Sequence, residues 1–329
     1  MGISLSIWLF GDILAPVLAS VVIAYVLDWM VVRLQRRGIP RSLGIGLVFL
    51  FFLGLIVVLS LWIIPLLARE TASLFEQLPA MYAEGQQALF LLPERYPEFI
   101  SQEQVYELTA LGKSQISALG QQVLSFSLDS IMTIMTMIVY MVVVPLVVFF
   151  FMKDRDAIIK WCGKFLPQKR KTLNIMWEEI DAQMGNYIRG KIAELVIVIV
   201  MTYITFALFG LEYAFLLSVL VGISIFIPYI GGIVVTIPII AIAFFQWGFT
   251  AHFAWLIVAY IVTQLIDGNI VVPLLFSEAM DMHPVVIILA IIVFGGLWGF
   301  WGLFFAIPLA ILVKTLIDDW PVASVPHKK

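Results

Sequence analysis

The chain has 329 residues, of which 62% are hydrophobic and only 12% charged, with a mean hydropathy of +1.06 and a net charge of −3. Soluble globular domains are about 45–50% apolar and about 25% charged, so a soluble protein of this composition would expose large apolar patches and aggregate. The sequence therefore predicts an all-α, polytopic integral membrane protein. A nucleic-acid binder is excluded for the membrane half, because residues 192–313 contain no Lys or Arg to contact phosphates.

Long apolar stretches recur along the whole chain. A helix that crosses the hydrocarbon core needs about 20 mainly apolar residues. The stretches that qualify are 13–32, 43–67, 130–152, 192–211, 213–245, 251–276 and 284–313. Two of them, 213–245 and 284–313, are too long for one helix and are interrupted by glycine and proline. We therefore expect about seven or eight transmembrane helices, including broken or re-entrant ones.

The basic residues predict how the chain is oriented, since Lys and Arg concentrate in cytoplasmic loops. Residues 33–41 hold four and residues 153–191 hold nine, whereas 68–129 hold three against eight acids. We expect the first two segments and the C-terminus in the cytoplasm, and 68–129 on the periplasmic side of a bacterial inner membrane.

Four parts of the chain follow from this pattern. They are 1–67 with the N-terminal transmembrane helices, 68–129 as an extracytoplasmic amphipathic helical segment, 130–191 as a transmembrane helix with a basic cytoplasmic linker, and 192–329 as a transport core with broken helices and a short C-terminal tail.

The two broken stretches share a short repeat. Gly232-Ile-Val-Val-Thr-Ile-Pro238 and Gly302-Leu-Phe-Phe-Ala-Ile-Pro308 each follow a glycine-rich break. Paired broken helices in corresponding positions indicate a transport site in carriers built from repeats. Chance similarity between apolar sequences is an equal alternative. The break residues that we place in a substrate or ion pathway are Pro228, Tyr229, Gly231, Gly232, Gly295 and Gly296.

Asp267 is the acid at membrane depth that most needs an explanation. It lies inside an apolar stretch, beside Gln264 and Asn269, with no basic residue between 192 and 313. An intramembrane charge is costly and faces a cavity or a partner. We expect an unwound turn there in which a bound cation, a proton or an array of backbone N–H groups faces the carboxylate, and include these three residues in the pathway. The alternative is a helix-capping Asp at a break near the interface.

Other polar residues have more ordinary explanations. Glu194 lies just inside a span, and we expect it to reach the interface or to pair with Arg189 or Lys191. Glu278, Asp281 and His283 lie within six residues between two spans, which is typical of a loop. They are also candidates for a proton-responsive gate, because His titrates near neutral pH.

No pattern indicates an enzyme, a cofactor or a metal. The three histidines lack metal-ligand spacing, and the single Cys162 excludes an internal disulfide and a Cys-based zinc site. No nucleotide-binding or nucleophile motif occurs in a suitable setting. We therefore predict no catalytic residues, no cofactor and no metal.

Several ordered motifs resemble those of a known family. They are Pro228-Tyr-Ile-Gly-Gly232, Asp267-Gly-Asn269, His283-Pro284 and the glycine-rich 295–302 followed by Ala306-Ile-Pro308, supported by Val144-Pro145 and Asn186-Tyr-Ile-Arg-Gly190. On these residues the sequence resembles the autoinducer-2 exporter (AI-2E) family, in particular its PerM-type permeases, over nearly the whole chain.

The resemblance implies a bacterial inner-membrane transporter with about eight membrane helices and a homo-oligomer, with a pentamer as one candidate. Some members are linked to export of the furanone autoinducer-2 and others to sodium/proton exchange, so the family leaves the substrate open. Members carry a further hydrophobic helix upstream of the stretch near Asp12, and we expect that a late start or a truncation has removed it here.

Three functions are compatible with the sequence. The first is a secondary transporter for a small autoinducer-2-like solute or for cations such as sodium and protons, with its site at the broken spans. The second is a non-transporting membrane scaffold or envelope-stress factor that binds a partner through residues 68–129. The third is a passive channel.

Overall fold

The computed structural model describes residues 11–90, 130–164, 171–227, 230–276, 283–310 and 313, and within these ranges it contains helices and turns but no strands. The helices are α1 (Gly11–Gln35), α2 (Arg41–Val58), α3 (Ile64–Phe90), α4 (Ser130–Lys153), α5 (Arg155–Gly163), α6 (Lys171–Phe209), α7 (Ala214–Ser224), α8 (Ile230–Trp247), α9 (Ala251–Ile266), α10 (Val272–Phe276) and α11 (Pro284–Phe304). Two π-helical turns, Leu59–Ile63 and Asp267–Val271, join α2 to α3 and α9 to α10. The all-α prediction is confirmed.

Four segments in the described part of the chain are long and apolar enough to cross a membrane. They are Arg41–Met81, Met184–Phe209, Ile230–Trp247 and Ala251–Phe276. Large apolar side chains stand out from the bundle on its outer face, for example Trp62, which is 74% exposed. Such exposure is stable in lipid and not in water, which agrees with a polytopic membrane protein.

A partly buried cluster of one aspartate and two arginines joins the helices of the N-terminal half at one end. Asp28 on α1 is only 7% exposed. Its carboxylate accepts from Arg155 at 2.7 Å and from Arg41 at 3.5 Å. We call the end of the bundle at which Asp28, Arg41 and Arg155 meet the basic end. The opposite end is where α6 finishes and α9 starts, and there His252 lies 2.9 Å from the Phe209 carbonyl.

Two helices run further than the hydropathy pattern predicts. The span predicted at 192–211 is part of α6, which begins at Lys171 inside the predicted basic linker. The helix after residue 67 continues to Phe90. Hydropathy detects only the part of a helix that lipid can cover, whereas helical backbone hydrogen bonds are satisfied within the segment in either solvent.

Helices α7 and α8 form a hairpin, as the break in 213–245 predicts. With 11 residues, α7 is about 16 Å long and cannot cross a core of about 30 Å. The chain reverses so tightly that a Cβ on Gly231 would clash with the Ser224 carbonyl. Gln246, near the end of α8, accepts from the Glu212 N–H at 2.9 Å and donates to the Gly210 carbonyl at 2.8 Å. Both arms therefore end at the opposite end of the bundle.

A second hairpin occupies the stretch 284–310. Gly299 has φ 58° and ψ −133°, which breaks α11 at a conformation that favours glycine. A Cβ on Gly302 would clash with the Phe294 carbonyl. Ala290 and Ile291 on the first arm pack against Ala306 and Ala310 on the second. The predicted break in the glycine-rich segment is thus a reversal of the chain.

Candidate functional site

The two hairpins meet in the interior of the bundle. The ring of Phe226, at the tip of the α7–α8 hairpin, lies 5.1 Å from the ring of Phe304 on the second hairpin. Tyr187 on α6 donates to the Phe304 carbonyl at 3.2 Å. Lys191, Glu194 and Asp267 lie near this contact, and the C-terminal end of α7 lies against Lys191.

Lys191 on α6 is the central cation of the site. Its side chain is only 8% exposed, and its Nζ lies 2.8 Å from Oε2 of Glu194, whose side chain is 3% exposed. The same Nζ donates to the Ile225 carbonyl at 3.1 Å and lies 5.4 Å from the centre of the Phe276 ring. Lys191 thus connects α6, the first hairpin and α10.

The Ile225 carbonyl is available because α7 ends there. Ile225 is the C-cap residue of α7, and the last carbonyls of a helix lack intrahelical partners. A cation near a helix C-terminus is also favoured by the helix dipole. The short hairpin arm therefore delivers a negative dipole end to the middle of the bundle, where Lys191 compensates it.

Asp267 lies beside this pair with an unsatisfied acceptor. It interacts electrostatically with Glu194 and Lys191. Its Oδ1 and the Oε1 of Gln264 are buried and have no hydrogen-bond partner among the residues that the structure describes. Buried polar atoms are nearly always partnered, so two orphaned acceptors on one helix face call for an explanation. The carboxylates of Glu194 and Asp267 and the ammonium of Lys191 together leave a formal excess of one negative charge.

The length of α9 sets the distance between Asp267 and the opposite end of the bundle. It follows the last residue of α9, which starts at Ala251 at the opposite end. Sixteen residues of helix correspond to about 24 Å, most of the way across a core of about 30 Å. The cluster therefore lies well away from the opposite end of the bundle.

A polar stripe leads along α9 from Asp267 towards the opposite end. Tyr260, Thr263, Gln264 and Asp267 share one helix face by their spacing. Thr263 lies 3.2 Å from the hydroxyl of Thr205 on α6, and Tyr260 lies 3.1 Å from the hydroxyl of Thr236 on α8. Hydroxyls that both donate and accept line the contact between α6, α8 and α9.

The unwound turn predicted around Asp267 is wrong. Residues Asp267–Val271 form a π-helical turn that continues into α10. The wider turn keeps the backbone in a hydrogen-bonded helix and rotates the following residues. Asn269 is exposed and donates to the Leu265 carbonyl at 2.9 Å. The structure therefore brings Gln264 and Asp267 to the cluster and directs Asn269 away from it.

The other predicted pathway residues are distributed around the hairpins. Gly231 and Gly232 lie at the tip of the first one, and a Cβ on Gly232 would lie 3.4 Å from the Gln264 amide nitrogen. Gly295 faces Leu303 across the second hairpin, whereas Gly296 has open space around it. His283 is exposed, and its Nδ1 accepts from the Val285 N–H at 3.3 Å. Pro228, Tyr229, Glu278 and Asp281 lie outside the described residues.

Sequence reasoning missed Lys191 as a member of the site. The pairing of Glu194 with Lys191 was one of the expected explanations and is confirmed, with both side chains buried within the bundle. A signal was present. Residues 191–209 are already about the length of a membrane span, so a helix that ends at Phe209 places Lys191 at the edge of that span and not in the linker.

The described residues contain no group of three or more His, Cys, Asp or Glu that could hold a metal ion. Within them the cluster can hold one further positive charge or a hydrogen-bond donor at Asp267 and Gln264.

Comparison with known proteins places this architecture in context. A family model described as "AI-2E family transporter" matches residues 1–322. The chain is 41% identical over 98% of its length to the Escherichia coli (strain K12) protein named as a permease, PerM, and covers 91% of that protein. It is 27% identical over 91% of its length to the Bacillus subtilis (strain 168) protein named as a transport protein, YueF, covering 82% of it. It is 24% identical over 94% of its length to the E. coli (strain K12) protein named "AI-2 transport protein TqsA", covering 86% of it.

Proposed function

This chain belongs to the AI-2E transporter family, and we propose that it is a secondary transporter whose site lies where its two hairpins meet. The transported species is a small polar solute such as autoinducer-2, or a cation such as sodium exchanged for protons. Membership of the family supports a multi-pass bacterial membrane protein with a transport role. The substrate and the site are our proposals.

One observation carries the proposal of this site. Lys191 and Glu194 are buried inside the bundle against the end of a half-length helix, and Asp267 interacts electrostatically with both. Charges at membrane depth are expensive and mark pathways for ions, protons or solutes. A scaffold that binds its partner through residues 68–129 has no use for a buried charge cluster, so the cluster favours transport.

We propose that Lys191 holds the tip of the first hairpin in place through its hydrogen bond to the Ile225 carbonyl. In the structure its ammonium bridges Glu194 and the Ile225 carbonyl. A cation or a proton that arrives at Asp267 neutralises the excess negative charge and weakens the hold of the acids on Lys191. The hairpin tip is then released and a solute can pass. Half-length helices whose ends bind ions or solutes are a recurring design in secondary transporters.

The hairpins suggest how access alternates. We propose that the basic end of the bundle faces the cytoplasm, because Lys and Arg concentrate on that side. The α7–α8 hairpin then enters from the periplasmic side and the second hairpin from the cytoplasmic side. Their contact at Phe226 and Phe304 separates the two approaches. Movement of either tip opens the cluster to one side only.

We also propose that the protein forms a homo-oligomer, as its family resemblance implies.

The test is solute flux in proteoliposomes. Purified protein is reconstituted, and uptake of sodium, protons and autoinducer-2 is followed with and without an opposing sodium or proton gradient. Flux driven by an ion gradient supports the proposal. Downhill flux that ignores both gradients indicates a passive channel. Absence of flux for every solute under every gradient, from protein that is folded and correctly inserted, rejects transport in favour of the scaffold.

A further inference from the structure

A groove lies on the outer surface of the bundle, and two of its lining residues, Tyr187 and Phe276, also border the proposed site. It has a volume of about 860 Å³ and runs between α1, α6 and α10. Its walls are almost entirely apolar and face outwards: Val196 on α6 is 55% exposed and Leu274 on α10 is 77% exposed. The proposed transport mechanism does not use this groove.

The floor of the groove exists because Gly190 has no side chain. A Cβ at that position would lie 2.6 Å from the Phe276 ring, so the glycine allows α10 to approach α6 closely. The rings of Tyr187 and Phe276 contact each other there at a tilt of 45°, with their centres 5.7 Å apart. The concavity is therefore formed by close helix packing and well-buried rings.

One end of the groove is cationic. Trp29 lines it, and the guanidinium groups of Arg33 and Arg189 lie 5.2 and 5.9 Å from the centre of its ring. Arg189 also donates to the Asn186 side chain at 2.7 Å. A tryptophan held between two arginines is typical of the level of lipid headgroups, where one side of the ring is apolar and the other is wet.

The dimensions match one lipid leaflet. The α6 residues that line the groove run from Asn186 to Ile197. Eleven steps of helix correspond to about 16 Å, which is about half of a core of about 30 Å. The cationic end lies towards the basic end of the bundle, and the apolar part extends from there towards the middle. An acyl chain whose headgroup sits at the arginines fills this shape.

We propose that this groove binds an anionic phospholipid, with its phosphate at Arg33 and Arg189 and an acyl chain along α6 beneath Trp29. Charge complementarity decides between lipid classes, because basic pockets between membrane helices select anionic headgroups. The acyl chain of a lipid also covers the apolar walls of the groove, which are exposed in a single chain. These walls therefore do not require a partner protein to cover them. This inference stands independently of the transported solute.

The experiment measures bound lipid on the purified full chain. Protein in nanodiscs of phosphatidylcholine with a minor fraction of phosphatidylglycerol is released for native mass spectrometry, and the ratio of retained phosphatidylglycerol to phosphatidylcholine is determined. The double variant Arg33→Gln/Arg189→Gln should lose this preference about 25-fold, since each arginine near the surface contributes about fivefold in affinity. The matched control Arg36→Gln/Arg37→Gln removes two exposed charges and should keep the wild-type ratio.

A second pair of variants tests the acyl part separately. Val196→Trp fills the groove, whereas Val200→Trp adds the same bulk at an exposed position on α6 that does not line it. The first should release the tightly bound lipid and the second should not, with unchanged thermal unfolding in detergent showing that both fold. Equal lipid ratios in the arginine variants and their control overturn the proposal. So does a Val196→Cys disulfide between two chains, which would mean that a second copy covers the groove.

Discussion

Lys191 Nζ and Glu194 Oε2 lie 2.8 Å apart, one turn apart on α6, and both side chains are buried. The lysine also holds the Ile225 carbonyl at 3.1 Å. A buried pair of this kind contributes little net stability, because the desolvation of two charges offsets their attraction, but loss of one partner strands the other charge. Removing both partners together therefore distinguishes a role of the pair in stability from a role in transport.

We predict that Lys191→Met destabilises the protein by about 3–5 kcal/mol, because it leaves Glu194 buried without a counter-charge. The double variant Lys191→Met/Glu194→Leu should recover most of that stability but none of the coupled flux. Thermal unfolding in detergent and flux in proteoliposomes are measured on the same preparations. Wild-type flux in the stable double variant would mean that the pair serves the fold alone.

We predict that Asp267→Asn leaves insertion and stability intact but abolishes coupled transport or its pH dependence. The amide keeps the shape of the side chain and removes the negative charge that a cation or a proton would neutralise. Asn269→Ala, on the same π-turn but exposed, is the control and should transport normally. If Asp267→Asn shows wild-type flux with an unchanged pH profile at equal protein level, Asp267 is not in the pathway.

The backbone approaches itself closely at the tip of the first hairpin, so we predict that replacing Gly231 and replacing Gly296 have different effects on stability and flux. Gly231→Ala would drive a methyl group into the Ser224 carbonyl, whereas Gly296→Ala meets open space. We expect the first to lose both thermal stability and flux, since rigid backbone cannot yield as a side chain can. The second should be neutral, or stabilising by up to about 1 kcal/mol through helix propensity. Equal effects at both positions would contradict the tight turn.

A hydrogen bond joins α3 to the first hairpin. Glu70 on α3 accepts from the Leu216 N–H in the first turn of α7 at 2.7 Å. An acidic acceptor there satisfies a free N–H and complements the helix dipole. We predict that Glu70→Ala costs about 1 kcal/mol of stability, measured by thermal unfolding, while Glu76→Ala, at an exposed position on the same helix, costs less than about 0.5 kcal/mol.

The proposed orientation is tested by labelling single cysteines in intact cells. In a Cys162→Ser background, Gln77→Cys on α3 should react with a membrane-impermeant maleimide, and Lys160→Cys on α5 should react only after the membrane is permeabilised. Both positions are exposed in the structure, so accessibility differs only through the side of the membrane. The reverse pattern would invert the whole topology.

Much of the architecture could be predicted from hydropathy and glycine content. Lipid tolerates only long apolar helices with internally satisfied backbone, so the class of protein and the approximate spans follow from composition. The breaks at Gly231 and near Gly299 were also predictable. Each of the two apolar stretches is too long for one helix, and glycine and proline, which weaken helices, mark where it is interrupted. Asp267 stood out as a lone carboxylate in an apolar stretch.

The sequence by itself determined the membrane class, the two interrupted spans and the presence of an acid at depth. Only the tertiary structure decided which groups meet there. Lys191 looked like the last residue of a basic linker, and it enters the site because α6 continues through that linker and carries it into the bundle. Asn269, two residues from Asp267, points away because the chain stays helical there, and residues two apart lie on opposite sides of a helix. Hydropathy reports each residue's preference for lipid or water, whereas a binding site depends on the rotation and crossing of helices, which long-range packing sets.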